Sequence, residues 1–199
     1  MPASLSPVGR FFLHALLWLP LLFGIWYYMA IVVTWPVTWL TDLLLPRLLP
    51  ETFAAVEQSG YHLDIISLVT LPGEAAQGEL LIRINPLMYG YGVPLFTALL
   101  FATPEGDEGE KWSRWLIALA ILLLVQAFGV SMEAIKVLLF DTGPEISSQV
   151  AISGWSLEAV ALGYQLGYLI LPPVAPIALW VGFHRRYLEQ LAPGLSGRL

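Results

Sequence analysis

The chain has 199 residues, of which 57% are hydrophobic and 12% charged, with a formal net charge of −6. Soluble domains hold about 45–50% apolar and about 25% charged residues, so this composition excludes an ordinary soluble domain and a disordered chain alike. The acidic balance, with no Lys/Arg run longer than two, excludes a basic nucleic-acid binder, and the absence of cysteine excludes disulfides, thiolate metal sites, iron–sulfur clusters and a cysteine nucleophile.

Four apolar segments and one long connection predict a membrane all-α fold. It is a four-transmembrane-helix bundle with a small extracytoplasmic α/β cap, an amphipathic helix plus a β-hairpin, forming a single membrane domain over 1–199. The first segment, 11–33, carries no charge from Phe11 to Val33. At 1.5 Å per residue it is about 34 Å long, enough for a hydrocarbon core of about 30 Å. Arg10 precedes it as in a signal peptide. The run is longer than an h-region and no small-x-small cleavage site follows, so it reads as an uncleaved helix. Pro20 should kink it and leave the Leu16 carbonyl without its helical donor.

Residues 34–85, from Thr34 to Asn85, form the cap. Between Val37 and Ser59 lies WLTDLLLPRLLPETFAAVEQS, where Asp42, Arg47, Glu51 and Glu57 are spaced among leucines. Two readings fit: amphipathic helix pieces on the outer surface, broken at Pro46 and Pro50, or the tail of the first segment followed by a short helix. The pattern then changes. HLDIISLVT is β-branched, and GELLIRIN alternates, with Leu80, Ile82 and Ile84 on one face and Leu81, Arg83 and Asn85 on the other. The turn-forming LPGEAAQG between them predicts a β-hairpin. A lone hairpin is marginal in water, so it must pack on the amphipathic helix, the membrane surface or a partner.

The second segment, 86–103, is the weakest, with Gly90, Gly92 and Pro94, and TPEGDEGEK after it is a solvated acidic loop. The third runs over 112–140 and the fourth over 158–183, the latter with Pro172, Pro173 and Pro176; residues 184–199 form a tail. Prolines are tolerated in membrane helices where neighbours satisfy the freed carbonyls. With both termini cytoplasmic, the inside holds Arg10, Lys111, Arg114, Arg185, Arg186 and Arg198, and the outside Arg47 and Arg83. Six against two satisfies the positive-inside rule. Trp35, Trp39 and Trp155 would form the outer aromatic girdle, and Trp112, Trp115 and Trp180 the inner one.

Gln126, Gly129, Glu133 and Lys136 recur at steps of three, four and three, so they share one helical stripe. An amide or carboxylate facing hydrocarbon is expensive, so the stripe should face other helices. Glu133 and Lys136 read either as a boundary ion pair or as a buried polar, substrate-facing contact. Gly163 and Gly167 have the GxxxG spacing of close helix approach. Tyr164, Gln165 and Tyr168 lie beside them, and Tyr89, Tyr91 and Asn85 enter at the same outer level. The convergence reads either as an outward-facing groove for a peptide or partner helix, or as ordinary helix packing.

Catalytic templates are poor. His14, His62 and His184 lie at separate ends and cannot share one metal or haem, and there is no HExxH, GxSxG, Walker loop or GxGxxG. A Ser–Lys dyad of Lys136 with Ser147 or Ser148 has only residue type in its support. No metal or cofactor is expected; the expected partners are membrane lipid and another membrane protein.

INPLMYGYGVPLFTALL (84–100), VQAFGVSMEAIKVLLF (125–140), GPEI (143–146) and ALGYQLGYLILPPVAPIALW (161–180) resemble the exosortase H-associated membrane proteins of bacteria, over roughly 84–184. The resemblance implies an inner-membrane accessory to an exosortase, a multi-spanning enzyme that recognises a C-terminal sorting tail on exported proteins and cleaves it with Cys, Arg and His. A chain without cysteine is not such an enzyme, and the resemblance supplies no catalytic residues. The leading reading is therefore a non-catalytic accessory that binds the sorting enzyme, its substrate tail, or both. The alternatives are a small membrane hydrolase acting on lipid or peptide through Glu133 and Lys136, and a transporter subunit with Pro/Gly-broken segments. The last lacks an inverted repeat and a mid-membrane ionisable group.

Overall fold

A computed structural model describes residues 6–70, 79–104, 107–150 and 156–191. In chain order the elements are α1 (Pro7–Tyr28), α2 (Ala30–Leu48), β1 (Phe53–Ser59), β2 (His62–Thr70), β3 (Glu79–Ile84), α3 (Leu87–Gly90), α4 (Gly92–Ala102), α5 (Glu108–Lys136), α6 (Pro144–Ser147), α7 (Leu157–Gln165), α8 (Leu171–Phe183) and α9 (Arg185–Leu191). A π turn, Val137–Asp141, continues α5, and another, Leu166–Ile170, joins α7 to α8. The structure is mostly helical, with a three-stranded antiparallel sheet. Among the described residues, three helical stretches are long and apolar enough to cross a membrane: Pro7–Tyr28, Glu108–Asp141 and Leu157–Phe183. The predicted second segment is the shorter apolar stretch Leu87–Ala102. The turn expected at LPGEAAQG, Trp155 and Arg198 lie outside the described residues.

The chain divides into two compact units: Met1–Tyr28, Tyr91–Leu122 and Pro173–Leu199 form the first, and Met29–Gly90 and Leu123–Pro172 the second. In the first, α4 packs along α1. Phe11 stacks on Trp180 at 5.2 Å between centroids, and Trp18 meets Phe101 edge-on at 5.3 Å. An indole N–H in an apolar core needs an acceptor. Trp180 Nε1 donates to Thr103 Oγ1 and Trp115 Nε1 to Thr97 Oγ1, both at 3.0 Å. This corrects the placing of Trp180 in a girdle: it is buried, whereas Trp112 is exposed.

The second unit corrects the cap. The first segment does not run on to Val33: α1 ends at Tyr28, and α2 starts after Met29. α2 runs through Pro36 and Pro46 and stops before Pro50. Pro46 does not break it because its fixed φ is helical, and in the last turn it withdraws only the donor to the Asp42 carbonyl. FAAVEQS is not helical but strand β1. Its alternation is hidden by a bulge between Phe53 and Ala55, which lets Phe53 and Val56 both be buried although three residues apart. The predicted hairpin strands are β2 and β3, in sheet order β1-β2-β3, with Ile82 and Ile84 buried and Leu81 and Arg83 exposed. The sheet's inner face, with Leu63 and Ile65, shares one core with Leu45 of α2 and Val130, Ile135 and Leu138.

Side chains fasten α2 to β1. Asp42 Oδ1 accepts from the Val56 N–H at 2.8 Å, occupying an edge donor that would otherwise be orphaned. Gln58 Nε2 lies 2.8–2.9 Å from Ile31 O, Thr34 Oγ1 and Gly60 O, tying the β1–β2 turn, with Gly60 at φ +64°, to the first turn of α2. α2 is inside-out: Thr34, Thr38 and Thr41 are buried, while Ile31, Val32, Trp35 and Trp39 are exposed.

Candidate functional site

The site lies within the second unit and starts at α3. Asn85 Oδ1 accepts from the Leu87 N–H at 3.1 Å, fixing the entry to this one-turn helix, and Gln126 Nε2 donates to Pro86 O at 2.9 Å. Gly90 faces the Gln126 amide so closely that a Cβ there would collide with it. α3 thereby presents Tyr89, which is 2% exposed, to α5. The Tyr89 hydroxyl donates to Glu133 Oε2.

Gly129 makes room for this arrangement. A Cβ there would strike the Tyr89 ring and stand 3.1 Å from Gly167 O. Gly167 in turn lies against Gly129, and Gly163 lies over the Met132 side chain. The small residues of the stripe and of the GxxxG run are thus spent on contacts within the chain. Tyr168 tilts at 60° to Tyr89 with centroids 5.8 Å apart, and Tyr164 stacks on Tyr168 at 5.7 Å and 4°. Lys136 Nζ sits 5.5 Å from the Tyr164 ring centroid, a cation–π distance.

The expected Glu133–Lys136 pair is replaced by two others. Lys136 Nζ bonds Asp141 Oδ2 at 2.6 Å, and Glu133 bonds Tyr89. The cause is the π turn over Val137–Asp141: i→i+5 bonding brings residues five apart into register, so Asp141 falls over Lys136. The second π turn ends two residues before Pro172 and Pro173, whose missing N–H groups withdraw the donors to the carbonyls of Tyr168 and Leu169. It sets Gly167 and Tyr168 toward α5.

Of the predicted site residues, Tyr89, Gln126, Gly129, Glu133, Lys136, Gly163, Tyr164, Gly167 and Tyr168 come together. Gln165 does not: it is exposed beside the cluster. Tyr91 falls in the first unit, half-buried at the N-terminus of α4. The Ser–Lys dyad does not form. Ser147 and Ser148 donate to the carbonyls of Pro144 and Glu145 in their own turn. Asp141 was missed because only a π turn makes i+5 a neighbour, and nothing local in the sequence announces one.

The outer sheet face carries a second polar pair unread in the sequence. Arg83 Nε and Nη2 reach Asp64 Oδ1 and Oδ2 at 2.7 and 2.8 Å across β2 and β3. The guanidinium's hydrogen bonds hold the Asp64 carboxyl below the usual carboxylate range.

The cluster offers a carboxylate acceptor, a cation and three aromatic rings. That set can grip N–H groups and apolar or cationic side chains. No group of three His, Cys, Asp or Glu suited to a metal occurs among the described residues. No curated protein and no solved structure matches the chain. The family model of the exosortase H-associated membrane protein matches residues 5–187, nearly the whole sequence. The chain belongs to the exosortase H-associated membrane protein family.

Proposed function

We propose that the chain is a non-catalytic accessory of an exosortase-type protein-sorting system in the bacterial inner membrane. It binds the sorting enzyme, its substrate tail, or both, from the outer half of the membrane. Membership of the family supports the association. The observation that carries the binding role is the Tyr89–Glu133 hydrogen bond, which orients a partly exposed carboxylate beside Tyr164, Tyr168 and Lys136. Among the described residues, Glu133 Oε1 receives no hydrogen bond, which leaves an acceptor for an incoming N–H donor. A half-buried acceptor with one open valence favours a partner that brings a matching N–H donor.

If Leu87–Ala102 also crosses, the chain makes four passes with its termini on one side, and the Lys/Arg balance favours the cytoplasmic side. The length of that stretch is about 24 Å at 1.5 Å per residue, short of the core but within the reach of local thinning. The second reading, a hydrolase acting through Glu133 and Lys136, would have to work with both groups in their observed hydrogen bonds, to Tyr89 and Asp141.

The test is a mild-detergent pull-down of the tagged chain from its native membrane, with mass spectrometry. A stoichiometric cysteine-containing sorting enzyme, lost in Glu133→Ala and Lys136→Ala variants that keep their helical spectrum, is the expected result. A chain that emerges alone and turns over a peptide overturns the proposal in favour of the enzyme.

A further inference from the structure

The first unit holds a polar cleft unrelated to the Tyr89–Glu133 cluster. Its volume is about 370 Å³, and it is lined by Glu110, Arg114, Gly182, Phe183, Arg185 and Arg186. Three arginines face one carboxylate there. Glu110 pairs with Arg114 through Nη2, one helical turn away. Arg114 Nη1 is buried and has no hydrogen-bond partner among the described residues. Arg185 and Arg186 are exposed and make no ion pair among the described residues. A buried guanidinium N–H without an acceptor is costly, and a site with two uncompensated positive charges favours an anion.

The surroundings say which anion. Arg114 lies near the start of one candidate span and Arg185 just past the end of another. Arg114, Ile117 and Ile121 follow one another at helical spacing down one face of α5, and both isoleucines are exposed. Arg185, Val181 and Ile177 do the same at steps of four, with Val181 and Ile177 exposed. The His184 N–H bonds Trp180 O at 3.0 Å, which carries helical geometry across the α8–α9 junction. Two exposed apolar stripes therefore lead away from the cationic cleft along the two helices. A free inorganic anion would use only the arginines. A molecule with an anionic phosphodiester head and acyl chains would use both features.

We propose that this cleft binds the phosphate headgroup of an anionic phospholipid, with Arg114 Nη1 as the buried donor, Arg185 and Arg186 as the outer clamp, and the acyl chains along Ile117 and Val181. The site is independent of the sorting partner.

The test uses the full chain, purified and delipidated, and reads bound lipid by native mass spectrometry. The probes are vesicles of phosphatidylcholine alone and of phosphatidylcholine mixed equally with phosphatidylglycerol. Phosphatidylglycerol should be retained selectively. The double variant Arg185→Gln/Arg186→Gln, at exposed positions, should bind it about 30-fold more weakly, from about 1 kcal/mol per arginine. Arg47→Gln, on α2, should bind as the parent does. Arg114→Gln is informative only if its helical spectrum is unchanged, so the double variant carries the test. Equal retention of the two lipids, or an unaltered affinity in the double variant, overturns the proposal. Full displacement of the lipid by inorganic phosphate overturns the acyl-chain half of it and leaves a simple anion pocket.

Discussion

Gly167 rests directly on the backbone of Gly129: a Cβ on Gly167 would stand 2.9 Å from the Gly129 Cα. No side chain intervenes at this crossing of α5 and the second π turn. The contact explains why the GxxxG run is present without invoking a second protein. It also ranks the glycines. Gly167→Ala meets backbone, which cannot yield, and should cost about 1–3 kcal/mol. Gly163→Ala meets the Met132 Sδ at 2.7 Å, the far part of a flexible side chain, and should cost under about 1 kcal/mol. Denaturant unfolding in detergent micelles would measure both, and the reverse order would place the true crossing at Gly163.

The Tyr89–Glu133 bond gives a second ranking. Tyr89→Phe removes the donor and leaves the half-buried Glu133 carboxylate without its tyrosine partner, a loss of about 1 kcal/mol. Glu133→Gln keeps an acceptor oxygen for the tyrosine and should lose less. Equilibrium unfolding of the two variants checks this; a milder Tyr89→Phe would mean that the hydroxyl adds little to the fold.

Asp64 predicts a pH limb. Arg83 holds its carboxyl below the ordinary value of about 3.9. Between those two values the unfolded chain binds more protons than the folded one, so stability rises with pH in that window. The contribution is complete above about pH 5 and is lost as pH falls through the lowered value. Arg83 has 57% of its side chain exposed, so solvent screening keeps the effect small. Unfolding midpoints at pH 7, 5 and 3 should show the parent losing more than Asp64→Asn in the acid step and equally in the first.

Asp42→Ala should uncap the Val56 N–H and loosen β1 from α2, by about 1–2 kcal/mol. Hydrogen exchange at Val56 is the direct readout. Faster exchange there, with β3 unchanged, is expected; unchanged exchange would show that the helix itself shields the strand.

The legible parts of the sequence were those with a long or clean period. Three charge-poor runs announced the long helices, and the alternation in ELLIRI announced β3 and its buried face. β1 was hidden because Ala54, the extra residue of the bulge, puts Phe53 and Val56 three apart, a helical spacing. Spacing offers Lys136 the Glu133 carboxylate three residues back as one possible partner, while the partner it takes, Asp141, is reached only through a π turn. Trp180 was placed by its position near a span end, whereas the Thr103 hydroxyl that draws it inward is 77 residues away in the chain. At the site, residue types were readable and their pairings were not: polar groups inside an apolar chain stand out, but which one meets which depends on tertiary contacts.

The inverted polarity of α2 bears on how this protein can be handled. Cutting the cap loose as a water-soluble piece would carry Ile31, Val32, Trp35 and Trp39 into solution, each about three-fifths exposed on the same helix. A contiguous apolar surface of that kind self-associates. Nor can the helix be made soluble by swapping its two faces, since Thr34 on the inner side accepts from Gln58, and Thr34 and Thr38 donate to the Ile31 and Thr34 carbonyls. Any preparation of the cap alone would need the two tryptophans and Ile31 replaced by polar side chains while Thr34 and Asp42 stay in place.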